Sequence, residues 1–166
     1  MQFLKVLAFS LVAMSPSAMC NVFFKSLDVS EVEVITPSKI EFTIVGDEQY
    51  NHSKLVMKIQ DVDFSTAENL DCTVDNNKEC SQLLNHLNLK SITIELMTYD
   101  HESQLFTGNI FVNGSKLSHT MISEGWYKFD YRKSRSKHLV ILQKNAMCKG
   151  LGIWSGKSTS LDYLCN

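Results

Sequence analysis

The chain has 166 residues, 44 % hydrophobic and 20 % charged, with 7 Gly, 2 Pro and 5 Cys. That is one globular domain's worth of ordinary composition, which excludes two sizeable cores, collagen-like repeats, Pro-rich linkers and low-complexity segments. A formal net charge of −2 excludes a generic polyanion binder, whose cation excess would run through the whole chain.

The first segment, Met1–Cys20, places Lys5 before an apolar run from Val6 to Met14, followed by Ser15, Ser17 and Ala18. This is the three-part pattern of a secretory signal peptide. The run is short for a bilayer span. Cleavage after Cys20 would put Ala18 at −3 and Cys20 at −1, and cleavage after Ser17 also fits. The competing reading is a hydrophobic N-terminal helix of the domain. A lipid-anchored Cys20 fits less well, because Ser17-Ala18-Met19 is a poor lead-in for acylation. The expected organisation is a signal peptide over 1–20 and a single domain over 21–166. It implies a secreted or periplasmic protein with no transmembrane anchor once the signal is removed.

Glu31–Ile35 opens in alternation, as a half-buried strand does. Thr36-Pro37-Ser38 reads as a turn and Ile40–Val45 alternates again. Gly46–Ser53 is a polar hairpin loop, and Lys54–Val62 reads as a third strand. Ser65-Thr66-Ala67-Glu68 fits a capping box, in which two orphan amides are satisfied reciprocally. Cys80–Leu89 sets Leu83, Leu84, Leu87 and Leu89 near helical spacing. Ser91–Met97 and Leu105–Val112 read as strands, and Asn113-Gly114 is a strong turn signal. Lys116–Glu124 predicts a helix with Leu117, Met121 and Ile122 on one face and Gly125 as its C-cap. Lys137–Lys149 predicts a last helix with Leu139, Leu142 and Ala146 inward, ended by Gly150. The order βββαββαα predicts an α+β fold, a five-stranded OB-fold-like β-barrel with three helices.

With 1–20 removed, Cys72, Cys80, Cys148 and Cys165 remain, an even number in a chain bound for an oxidising compartment. Four cysteines allow three pairings; Cys72–Cys80 and Cys148–Cys165 each close a short loop. No C-x-x-C occurs and the five His are scattered, so a metal-site reading of the cysteines is weak. Asn51-His-Ser and Asn113-Gly-Ser match the N-glycosylation pattern.

Charge is uneven. Residues 21–125 hold 16 acidic and 7 basic residues, a net of −9, and residues 126–166 hold 8 basic and 2 acidic, a net of +6. Tyr127, Phe129 and Tyr131 interleave with the start of the basic part. Such mixing suits phosphate contact with base stacking. Tyr131, Arg132, Lys133, Arg135 and Lys137 are therefore candidate contacts for single-stranded nucleic acid. The alternative is a solvated face that balances the acidic body.

Several spacings together resemble the staphylococcal nuclease (thermonuclease-like) family. The residues that carry the likeness are Gly108-Asn-Ile-Phe-Val-Asn-Gly114, then Leu117…Met121-Ile122-Ser-Glu-Gly125-Trp-Tyr, then Leu139…Ala146…Gly150-Leu-Gly-Ile-Trp154-Ser155. Val34–Phe42 and Met57–Asp63 match more loosely. The resemblance runs from about Glu33 to Ser155. It implies an OB barrel and hydrolysis of phosphodiesters with one Ca²⁺, a general-base Glu and two Arg. A hard cation needs carboxylate oxygens, guanidinium forks stabilise the charge on the pentacoordinate phosphorus, and a carboxylate orients the attacking water.

At those positions the chain departs from the family. The first Ca²⁺ Asp falls on Ser38 and the second is kept as Asp63. The general base falls on Thr66, or on Ser65 with a slip. The two Arg fall on Lys58 and on Leu105, beside Gln104. The chain has only two Arg, Arg132 and Arg135, both in the segment before the last helix. Loss of one charge-stabilising donor costs about 10²–10³-fold in rate, so loss of the set implies no catalysis by the family route. A rearranged site remains open, with Lys58, Asp63 and Glu68 catalytic and Asp61 and Asp63 on a Ca²⁺ ion. Its alternative is that Asp61 and Asp63 cap a strand end and Glu68 completes the capping box. Tyr131 matches a family Tyr beside the nucleotide, or it is a core-edge aromatic. Trp154 reads as a pin for the last helix. His119 and His138 lie on helices with no ligand-spaced partner. Three functions follow: a secreted, catalytically degenerate nuclease-like domain that binds nucleic acid or a protein; a divergent metal-dependent nuclease; or a structural interaction module.

Overall fold

The computed structural model describes residues 25–48, 51–63, 70–73, 77–88, 91–132, 134–156 and 165. The segment 1–20, the expected capping box with Ser65, Thr66 and Glu68, and Lys133 lie outside these residues.

Strand β1 (Lys25–Thr36) starts six residues before the Glu31 expected from alternation. The reason is a bulge between Ser30 and Glu33, with Glu31 at φ 49°. It shifts the phase, so that Leu27 and Val34 both face the core, one at an odd and one at an even position. A period-2 reading loses the strand at such an inserted residue. Strand β2 (Lys39–Val45) follows after the expected turn.

Strand β3 covers Lys54–Ile59 and stops short of the Val62 expected. Asp61 adopts φ 67°, a left-handed turn that Asp tolerates better than most residues. Val62–Asp63 then forms a short strand, β4, which leaves the barrel. Helix α1 (Lys78–Leu87) starts at Asn77, whose side chain accepts from the Glu79 amide at 2.7 Å. Strands β5 (Ile92–Asp100), β6 (Leu105–Val112) and β7 (Ser115–Lys116) lead into α2 (Leu117–Ser123). Strand β8 (Lys128–Phe129) pairs antiparallel with β4. Helix α3 (Lys137–Cys148) and a 3₁₀ turn, Gly152–Trp154, complete the described chain.

The first three strands form an antiparallel meander. β3 then runs parallel to β6, with Met57 opposite Phe106 and Ile59 opposite Gly108. β6 pairs with β5 and β5 with β1, both antiparallel. The circuit β1–β2–β3–β6–β5–β1 closes a five-stranded barrel. With α1 between the third and fourth barrel strands, this is the α+β OB-fold-like architecture with three helices that the element order predicts. Ile40, Phe42, Met57, Ile94 and Ile110 fill the barrel, and Leu83, Met121, Ile122 and Leu139 seal it from the helices.

Both short-loop disulfides are formed, Cys72–Cys80 and Cys148–Cys165. The Cys72 amide also donates to the Ile35 carbonyl at 2.9 Å, so the first bridge ties α1 to β1. Behind α2, Gly125 (φ 77°) and Gly152 (φ 54°) pack backbone to backbone. The Ile153 amide donates to the Gly125 carbonyl there at 2.9 Å. Among the described residues, no helix is long and apolar enough to cross a membrane.

Candidate functional site

The β3–β4 turn and the β8 segment build one edge of the molecule together. The Gln60 amide donates to the Gly108 carbonyl at 2.8 Å, and the Asp130 amide donates to the Asp61 carbonyl at 3.2 Å. Asp63 lies opposite Lys128 in the β4–β8 pair. The acidic and the aromatic–basic segments of the sequence are thus neighbours.

Each acid at this edge faces a cation. Lys116 Nζ donates to Asp61 Oδ2 at 2.7 Å, with both side chains mostly shielded from solvent. Arg132 Nη2 lies 3.6 Å from Asp63 Oδ1. Arg132 Nε and its backbone amide both donate to Asp130 Oδ1, at 3.1 and 3.0 Å. Asp130 is 1 % exposed. The hydrogen bond and charge of Asp130, then the charge of Asp63, push the Arg132 pKa up.

Ser38, Lys58 and Leu105, singled out by the nuclease resemblance, lie on or beside the barrel strands, and Ser65 and Thr66 lie outside the described residues. Ser38 sits beside the end of β3, where its carbonyl accepts from the Ile59 amide at 2.9 Å. It is fully buried, and its hydroxyl lies 3.0 Å from Thr36 Oγ1. Lys58 is half-buried on β3, between Lys39 and Thr107 in register. Leu105 opens β6 opposite Asp100. A Ca²⁺ ion needs several oxygens converging on one point. Among the described residues no three Asp, Glu, His or Cys side chains converge in that way. Asp61 and Asp63 are turned to Lys116 and Arg132, and Ser38 to Thr36. Glu68, the further acid of the expected rearranged site, lies outside the described residues.

The interleaved aromatics divide where β8 ends, because Tyr131 lies in the turn beyond Phe129. Tyr127 and Phe129 are buried, and the Tyr127 hydroxyl donates to the Pro37 carbonyl at 2.6 Å. Burial pushes the Tyr127 pKa well up. Lys128, between them, reaches over the Trp154 ring at 5.9 Å. Only Tyr131 of the three is exposed, at 74 %. It lines a shallow groove of about 420 Å³ together with Phe129, Arg135, Lys137, Val140 and Ile141. Of the five candidate nucleic-acid contacts, Tyr131, Arg135 and Lys137 share this groove. Arg132 is instead engaged with Asp130 and Asp63, and Lys133 lies outside the described residues.

Sequence reasoning missed three parts of this edge. Lys116 had no visible link to Asp61, 55 residues away. Asp130 carried a signal, being one of two acids in the basic segment. Val140 and Ile141 follow Leu139 on α3, and two adjacent β-branched residues beside an inward Leu point outward. His119 and His138 are also brought together across α2 and α3, with ring centroids 5.3 Å apart.

No protein-family model matches the chain, and no curated protein matches it.

Proposed function

We propose that this chain is an exported, nuclease-type OB barrel that has given up phosphodiester hydrolysis and works by binding a partner. The observation that carries the reading is that the acids after β3 face cations: the retained Asp63 lies beside Arg132, and its neighbour Asp61 is paired with Lys116. The buried, hydrogen-bonded Ser38 in place of a carboxylate and the absence of any strand-borne Arg support it. Export is supported by the Met1–Cys20 pattern and by two disulfides, which persist in oxidising compartments. The binding face is the groove of Tyr131, Val140 and Ile141, where exposed apolar surface marks an interaction site.

The test is a cleavage assay on the oxidised protein recovered from a secretory host, its N-terminus read by mass spectrometry. Single-stranded DNA and RNA are incubated with it in Ca²⁺, in Mg²⁺ and in chelator, beside Asp63→Ala. No cutting by any sample, with an N-terminus after Ser17 or Cys20, is the expected result. Metal-dependent cutting that disappears in Asp63→Ala would make the chain a divergent nuclease. A retained Met1 would remove the export.

A further inference from the structure

Four large hydrophobic side chains are strongly exposed among the described residues, and three of them, Tyr131, Val140 and Ile141, line one groove. Exposed apolar residues scattered singly need no explanation, but a cluster rimmed by charge marks a docking surface. The rim here is Arg135 and Lys137. Hydrogen bonds to Asp130 support the described residues next to Tyr131. The Arg132 amide donates to Asp130 Oδ1 at 3.0 Å, and the Ser134 amide donates to the Asp130 carbonyl at 3.2 Å. At the start of α3, the Ser136 hydroxyl accepts from the Leu139 amide at 3.4 Å. A surface already in its bound shape loses little conformational freedom on binding.

The composition of the groove selects its occupant. Single-stranded nucleic acid is held by a track of cations and by several aromatic faces on which successive bases stack. The exposed ring of this groove is Tyr131; Phe129 and Ser134 also line it, and its exposed apolar walls are the aliphatic Val140 and Ile141. The nearby Arg132 is engaged with Asp130 and Asp63. Two branched aliphatic walls and a Tyr fit an aliphatic side chain, and two cations at the rim fit carboxylates on either side of it.

We infer that the Tyr131–Val140–Ile141 groove docks a segment of another protein in which a Leu- or Ile-like side chain is flanked by Asp or Glu. The inference rests on the reading of the chain as a binding module and names the class of its partner.

The probe is a fluorescein-labelled peptide of alternating Asp and Leu, followed by anisotropy with the full oxidised protein. A peptide with Asn in place of Leu and a labelled oligothymidylate are run in parallel. The Asp–Leu peptide is expected to bind. Loss of the buried aliphatic contact, by Ile141→Asp or by the Asn peptide, is expected to weaken it about tenfold or more. Lys137→Glu is expected to weaken it about threefold, with a salt dependence. Ile141 is 56 % exposed, and thermal melts confirm that each variant folds. Equal binding by wild type and Ile141→Asp, or no binding of the peptide, overturns the inference. Oligothymidylate binding that Ile141→Asp abolishes assigns the groove to nucleic acid and overturns it too. Concentration-dependent dimerisation lost in Ile141→Asp assigns the groove to a second copy and likewise overturns the inference. The cleavage assay on the same samples separates the two failures: metal-dependent cutting overturns the reading of a non-hydrolytic binding module, whereas no peptide binding without cutting overturns the inference alone.

Discussion

The Lys116 ammonium lies 2.7 Å from the Asp61 carboxylate, across 55 residues of chain. The pair joins the entrance of α2 to the left-handed turn that follows β3. The side chains are 19 % and 13 % exposed, so each charge has given up much of its hydration. Removing one partner leaves the other shielded without its counter-charge, which costs more than the pair itself contributes. Lys116→Met is expected to lower stability by about 3 kcal/mol. The double variant Asp61→Asn with Lys116→Met should recover most of that loss, since Asn also tolerates the left-handed turn. Urea denaturation of the three proteins checks this; additive losses in the double variant would show that the two residues do not act as a pair.

Gly108 on β6 sits at a close strand approach in the barrel. A Cβ there would overlap the Glu95 carbonyl of β5 and lie 2.8 Å from Met57 Sδ. Neither a strand backbone nor a buried Met can yield freely in a closed barrel. Gly108→Ala is expected to destabilise by about 3 kcal/mol, at the upper end for overpacking. Gly114, at φ 78°, has open space around it, so Gly114→Ala should cost only about 1 kcal/mol of backbone strain. Thermal melts of the two variants side by side test the ranking, and an equal fall in both would refute it.

The disulfides close loops of different length, with sequence separations of 8 and 17. Loop-closure entropy then assigns about 2.5 kcal/mol to Cys72–Cys80 and about 3 kcal/mol to Cys148–Cys165. Replacing each pair by Ser should lower stability by roughly those amounts and leave the barrel folded. Chemical denaturation measures the loss. A Cys148→Ser, Cys165→Ser protein as stable as the parent would mean that the second loop is already restrained in the unfolded chain.

Burial holds the His119 pKa below its ordinary 6.5, reinforced by the charges of Lys116 and His138 and opposed by Asp61. In the pH window below 6.5, the unfolded chain therefore binds a proton that the folded protein rejects. Stability from this group is complete above pH 6.5 and falls as the pH drops. Glu79 acts in the opposite sense. Burial, opposed by Lys128, raises its pKa above 4.5, so its contribution is present at low pH and is lost as the pH rises. The difference between wild type and His119→Gln isolates the histidine. Wild type is expected to lose stability relative to the variant as the pH falls from 6.5 to about 5. A constant gap across that range would exclude His119 as the source of the slope.

The strands, helices and disulfides were legible because each rests on local physics. Alternation in Ile40–Val45, the turn residues Asn113 and Gly114, Gly125 after α2, and the short loops between cysteines all act over a few neighbours. The places where the reading slipped are local exceptions, the bulge at Glu31 and the left-handed Asp61, each of which breaks a period by one residue. The candidate site was legible only in its inventory: a shortage of Arg, two acids after β3, and a basic segment with aromatics. Which cation neutralises which acid followed from barrel closure, which sets β4 against β8 and the start of α2 against the end of β3. The same closure buried Tyr127 and Phe129, left Tyr131 beside Val140 and Ile141, and brought His119 to His138. Local periodicity thus determined the elements and their order, whereas contacts between residues far apart in sequence decided the chemistry, because charge pairing and apolar clustering depend on distance in space.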